Sequence, residues 1–258
     1  MSKINKKHLV LEALFSHCEK NKEFIFHNNL VKEISKKVGF GNAFDVTKLD
    51  FIEKLPLFFR DNDICIIHIG SGYHKFIKGI NKLYHRFEPM QNSIKWQYQR
   101  SLLNEFNDSE SNILSVANNQ RILHEFLFGK DLEFENLSIE KRPKTYFPHR
   151  TKANLQYYFN TESIVAKNQQ IEIDLTIEFD SVIGIFEAKN GISDNFNIYQ
   201  LYHPFLYYHN SKLDFKEVIC VYLQRKEDIL RLWAYTFKNP LYLESIKFIK
   251  SCEYILVR

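Results

Sequence analysis

Apolar residues at helical spacing open the chain. "KKHLVLEALFSHCEK" predicts one helix and "HNNLVKEISKKVGF" a second, with Asn28 or Asn29 as N-cap and Gly39 as its stop. "VTKLDFIEKLPLFF" predicts a third, whose extent Pro56 limits. "DICIIHI", "GSG" and "YHKFIKG" then predict strand, turn and strand. Three short helices closed by a hairpin predict a winged-helix-like domain over residues 1–95. The apolar pattern lapses in "EPMQNSIKWQYQR" around Pro89, which sets a boundary and a second domain over residues 96–258.

Beyond the boundary, "DSESNILSVANNQRILHEFLFG" predicts a long helix capped by Ser109, with Ile113, Leu114, Ala117, Ile122, Leu123 and Phe126 on its apolar face. "LQYYFN" predicts a strand, and "QIEIDLTIEFDSVIGIFEAKNG" two more joined at Asp180-Ser181. "NFNIYQLYHPFLYYH" predicts a helix interrupted by Pro204, and "KEVICVYLQ", "ILRLWAYTF" and "CEYILV" predict closing strands. Helix, strands, helix and more strands describe an α/β domain with a mixed sheet.

Composition changes little in this picture until the charge is divided. Residues 1–100 carry 17 Lys+Arg against 10 Asp+Glu, a balance of +7, while the remainder carries 18 against 21, or −3. A basic front half beside a mildly acidic back half suits a front that faces a polyanion. In a winged helix one helix enters the major groove and the wing touches backbone, which makes Lys36, Lys37, Lys48, Lys75 and Lys78 candidate phosphate contacts. The cysteines, Cys18, Cys65, Cys220 and Cys252, form no CxxC pair, and the histidines show no HExxH spacing. Those features predict buried thiols in a reducing, cytoplasmic setting. No apolar run has the length of a membrane span, so no membrane partner is expected.

The polar positions of residues 170–191 carry the candidate chemistry. Side chains alternate along a strand, so Glu187 and Lys189 share a face. Read as one continuous strand, the preceding run turns Ile171, Ile173, Leu175 and Ile177 one way and Glu172, Asp174, Thr176 and Glu178 the other. A two-residue turn at Asp180-Ser181 sets Phe179 opposite Val182 and Asp174 opposite Glu187, with Cβ atoms roughly 4.5–5.5 Å apart. Opposed carboxylates repel, and a divalent cation between them removes the repulsion; oxygen donors with room for water and phosphate suit Mg²⁺. The acid-x-lysine spacing alone is uninformative, since about three instances are expected by chance and two occur. Asp214-Phe215-Lys216, the second, has no acid on a preceding hairpin partner and reads as a surface pair.

With these residues the sequence resembles the PD-(D/E)XK nuclease superfamily, and more narrowly the type II restriction endonucleases. The resemblance is carried by "IEIDLTIEF", "GIFEAKN" and "IYQLYHPF", with "SESNILSVANNQRILHEFLFG" similar to a first core helix, and spans roughly residues 105–257. Ile173 stands where the superfamily's name has proline. The resemblance implies a restriction-endonuclease-like mixed β-sheet flanked by helices, with Asp174 and Glu187 as Mg²⁺ ligands and Lys189 as the catalytic lysine. It also implies Glu110 as a helix acid facing the metal and Gln200 as a polar residue that steadies the lysine or contacts the strand. The implied reaction is hydrolysis of double-stranded DNA at a specific sequence, leaving a 5′-phosphate and a 3′-hydroxyl. Cutting both strands implies a homodimer. Two other functions fit the same patterns: a non-catalytic winged-helix DNA-binding regulator, and a repair or junction-resolving nuclease of the same fold. For Glu110, a favourable charge at a helix N-terminus is a sufficient structural reason. The aromatics around residues 199–208 read as core, with His203 and His209 as structural residues.

Overall fold

The computed structural model describes residues 5–102, 109–129 and 134–257. Residues 105–108 and 130–133, within the span of the resemblance, lie outside the described residues. Asn5 caps α1 (Lys6–Asn21), which turns Val10, Leu11, Leu14 and Cys18 into the core. β1 (Ile25–His27) leads into α2 (Asn28–Val38). The cap of α2 is His27, whose Nδ1 accepts from the Asn29 amide at 3.2 Å, rather than either asparagine, and Gly39 ends the helix at φ +73°. The third expected helix shrinks to α3 (Leu57–Asp61). Pro56 drives Leu55 to extended backbone (ψ 142°), so the segment before it turns through 43–45 and 52–54 instead. β2 (Ile64–His68), β3 (Tyr73–Lys78), α4 (Ile80–Leu83), β4 (Tyr84–Arg86) and β5 (Asn92–Gln97) follow.

The long helix expected over 109–129 is two helices, α5 (Glu110–Asn119) and α6 (Ile122–Phe128). Arg121, left-handed at φ 61°, breaks them apart. Then come β6 (Lys144–Tyr146), β7 (His149–Phe159), β8 (Glu162–Ile173), β9 (Leu175–Phe179), β10 (Val182–Asn190), β11 (Asn195–Asn197), α7 (Tyr199–His209), β12 (Glu217–Lys226), β13 (Ile229–Phe237) and β14 (Ile246–Val257).

Among the described residues the main sheet has seven strands in the order β5-β14-β13-β12-β10-β9-β6. It is mixed: β10–β12 and β14–β5 run parallel and the other neighbours antiparallel. β5 straddles the expected boundary at 95/96 and lies at one edge of this sheet. Alternation along the central strands feeds two cores. Ile183, Ile185, Val218, Cys220 and Tyr222 face α7, while Phe186, Ala188, Val221 and Leu223 face α5 and α6. Gly184 allows the second approach, because a Cβ there would sit 2.5 Å from Leu127 Cδ1 of α6.

The amino-terminal helices and their sheet, ordered β1-β3-β2, belong to the α7-side core. A separate two-stranded ribbon, β7–β8, bridges them to the main sheet. Lys167 N donates to Ile69 O at 3.1 Å and Ser71 Oγ donates to Lys167 O at 3.0 Å, docking the tip of the β2–β3 hairpin onto β8. Gly70 makes this contact possible: its φ is +79° and an added Cβ would lie 2.0 Å from Lys167 O. Lys75 of β3 pairs with Glu162 of β8.

Candidate functional site

The expected turn at Asp180-Ser181 is present, with both residues at positive φ (48° and 62°), the backbone of a two-residue hairpin. Phe179 lies opposite Val182 and the ladder runs to Leu175 opposite Phe186. One step beyond, the single strand expected over 170–179 breaks. Ile171 and Ile173 of β8 enter the core beneath the ribbon, whereas Leu175 and Ile177 of β9 enter the core beneath α5 and α6. Asp174 is the residue at which the chain changes partner. It leaves the ladder, and its Oδ2 accepts a hydrogen bond from the Ala188 amide at 3.1 Å.

Glu187 and Lys189 project from β10 on the α7 side. Glu187 Oε1 accepts from Lys189 Nζ at 2.8 Å and from Gln200 Nε2 of α7 at 3.0 Å. Lys189 Nζ also lies 3.3 Å from Glu110 Oε1, the first residue of α5, whose N-terminus Ser109 Oγ caps by accepting from Asn112 N at 3.2 Å. Asp174, Glu187, Lys189, Glu110 and Gln200 therefore line one cleft of about 610 Å³.

Apart from Lys48, a candidate phosphate contact, sequence reasoning missed the amino-terminal contribution to this cleft. Asp50, on the loop before α3, meets Gln200 Nε2 at 3.5 Å through Oδ1 and pairs with Lys54 through Oδ2. Lys48, Lys54 and His68 line the same cleft. No local spacing signals this contact, because Asp50 and Gln200 are 150 positions apart.

Of the expected phosphate contacts, Lys36, Lys37, Lys48 and Lys78 are exposed, and Lys37 pairs with Glu33 at 2.6 Å. The charge of Lys75 is already met by Glu162. His203, buried, pairs its Nε2 with the Tyr157 hydroxyl at 3.3 Å.

Burial pushes the Glu187 carboxyl up to about 8; the neighbouring Asp174 adds to the shift and Lys189 opposes it. Burial also raises Asp174, against the hydrogen bond from Ala188. Lys189 is held above the usual lysine range: burial would lower it, but Glu187 and Glu110 outweigh that. Burial keeps His68 near 4 and His203 near 3, so both are neutral around pH 7. Among the described residues no group of three or more His, Cys, Asp and Glu side chains is gathered as a ready-made metal cage. The donor chemistry nonetheless suits a hard cation. Asp174 Oδ1 and Glu187 Oε2 take no hydrogen bond from the described residues, and Gln200 Oε1 is buried without a partner.

No curated protein and no solved structure matches the chain. Residues 8–76 match the model of a domain of unknown function, DUF6996, which stops inside β3. A second model begins at residue 79 and runs to 255, across the main sheet and every acid of the cleft except Asp50. The chain thus belongs to the family described as a domain of unknown function, DUF6997.

Proposed function

We propose that the chain is a Mg²⁺-dependent endonuclease of the PD-(D/E)XK type that hydrolyses double-stranded DNA at a specific sequence, leaving a 5′-phosphate and a 3′-hydroxyl. The observation that carries this reading is the meeting of Asp174, Glu187 and Lys189 at one cleft, from a hairpin whose second strand continues through α7 into parallel β12. In this reading the three helices and hairpin at the amino end act as a winged helix. Lys36, Lys37, Lys48 and Lys78 offer charge to the DNA backbone, and a homodimer cuts both strands.

Asp174 and Glu187 would hold the cation, which when bound supplies charge stabilisation at the phosphoryl oxygens and a more acidic water. The chain's own work is positional. Gln200 and Lys189 fix the Glu187 carboxylate from two sides, and the Ala188 amide fixes Asp174. Lys189, drawn between Glu187 and Glu110, holds an ammonium where a nucleophilic water and the pentavalent phosphorus would need positive charge. The test is cleavage of plasmid or phage DNA into discrete fragments with Mg²⁺. Lys189→Ala and Asp174→Ala should each cut at least about 100-fold more slowly; full activity in either variant removes this site from the reaction.

A further inference from the structure

The β7–β8 ribbon stands apart from the main sheet, and its two faces differ sharply. The inner face is apolar and closed, with Leu155, Tyr157, Phe159, Ile164, Ile171 and Ile173 buried. The outer face exposes Arg150, Lys152, Asn154, Gln156, Lys167 and Gln170. This face carries three basic groups against one acid, and pairing of Arg150 with Glu172 at 3.0 Å leaves Lys152 and Lys167 in excess. Asn154 Oδ1 accepts from Asn168 N at 2.9 Å across the register shift and Gln170 Nε2 donates to Glu172 Oε1 at 2.9 Å, so Lys152 and Gln156 are the long polar side chains of β7 on this face that the fold itself does not use. Arginine, lysine and side-chain amides are the groups that bond the edges of guanine and adenine in the major groove.

We propose that this outer face reads base sequence in the major groove of duplex DNA. The proposal rests on the nuclease reading for its substrate class, and it moves sequence recognition from the amino-terminal helices to the ribbon. Shape and position support it. Eleven residues of β7 at about 3.3 Å each span about 36 Å, close to one turn of B-DNA. A two-stranded ribbon also fits the width of the major groove. The register shift between Ala153 and Leu155 adds local twist, which helps a ribbon follow a groove. Lys152 and Gln156 face solvent opposite Gln170 and Val165, and their side chains take no partner from the described residues. At its far end the ribbon runs into the cleft: Gln169, Gln170 and Glu172 line it, and β8 ends at Ile173, one residue before Asp174. A duplex seated on the ribbon would therefore pass a backbone phosphate close to the candidate centre. The tip of the β2–β3 hairpin docks on the ribbon through the backbone of Lys167.

The test selects bound duplexes from a random pool using the cleavage-impaired Lys189→Ala chain, alone and with Lys152→Ala or Gln156→Ala added. The wild-type chain and its Lys152→Ala and Gln156→Ala single variants are assayed in parallel for Mg²⁺-dependent cleavage. The expected result is one selected sequence for the parent and, in each ribbon variant, a loss of preference at one or two base pairs by about 5- to 150-fold. Both substitutions are on the surface, and thermal melts matching the parent will show that the fold is retained. A parent that selects no sequence, or ribbon variants that select the same sequence with the same affinity, would overturn the proposal. The two readings separate cleanly. Ribbon-dependent selection without any cleavage keeps the reading surface and removes the nuclease; discrete cleavage unchanged by both ribbon variants does the reverse.

Discussion

Within the nuclease reading, the buried Glu187 carboxyl would make cation binding and proton release one event, and that can be measured. Its midpoint of about 8 lies well above an ordinary glutamate because burial disfavours the charged form and Asp174 stands beside it. At pH 7 such a group carries about 0.9 of a proton and at pH 9 about 0.1. A cation that takes Glu187 as a ligand displaces that proton, so Mg²⁺ binding should release about 0.9 proton at pH 7 and about 0.1 at pH 9. Apparent affinity should rise about tenfold from pH 6 to 7, about fivefold from pH 7 to 8, and then level off. The sign for the metal-free fold follows from the raised midpoint. Its contribution is fully present below the unfolded glutamate value of 4.5 and is lost as pH rises through about 8. Stability in EDTA should therefore fall across that window, and Mg²⁺ should restore it most on the alkaline side. Titration calorimetry in two buffers of different ionisation enthalpy reads the proton count directly. Glu187→Gln should abolish both the proton release and the alkaline loss of stability. Proton release near zero at pH 7, or the same at pH 7 and pH 9, would refute the coupling of cation binding to a protonated Glu187.

Two further outcomes test other parts of the structure. Asp50→Asn keeps the size of the side chain but removes the charge facing Lys54 and weakens the acceptor for Gln200; cleavage should slow by about tenfold, mainly in kcat, because Gln200 orients Glu187 rather than binding substrate. Gly70→Ala meets Lys167 O at 2.0 Å in a left-handed backbone, and should cost about 1–3 kcal/mol in urea unfolding while reducing hydrogen-exchange protection at Ile69 and Lys167.

Much of the local structure was legible because its causes are local. The amphipathic faces of α1 and α2, the turn at Asp180-Ser181 and the register it sets all follow from short-range spacing and turn chemistry. Errors arose where two tertiary environments share one periodic run. Residues 171–177 alternate without interruption, yet Ile173 and Leu175 serve different cores, and nothing in a period of two marks the exchange. The same holds for 109–129, where the apolar face continues across Arg121 although the helix does not. In the site, Asp174, Glu187 and Lys189 were visible as a hairpin motif. Asp50 was invisible because its contact exists only once the amino-terminal loop has packed against α7.

That long-range contact bears on how recognition could govern cleavage. The amino-terminal module is not a tethered bead: it shares a core with α7 and β10, and it grips the ribbon through Ile69, Ser71 and Lys75. Its loop also reaches the candidate centre, where Asp50 and Glu187 sit on the same Gln200 amide nitrogen. That nitrogen lies 3.0 Å from Glu187 and 3.5 Å from Asp50, so a small shift of the loop changes how firmly Glu187 is held. The ribbon that carries the proposed reading face is pinned to the same module and leads directly into Asp174. On the proposed reading, a duplex pressing on the ribbon would act on both carboxylates, on Asp174 through the chain and on Glu187 through Asp50 and Gln200. Within the nuclease reading, this gives a physical route by which a matching sequence would set both carboxylates for catalysis while a mismatched one leaves the pair out of register. It makes the effect of Asp50→Asn sequence-dependent: the substitution should narrow the difference in cleavage rate between matched and mismatched sites, whereas Lys189→Ala should lower both alike.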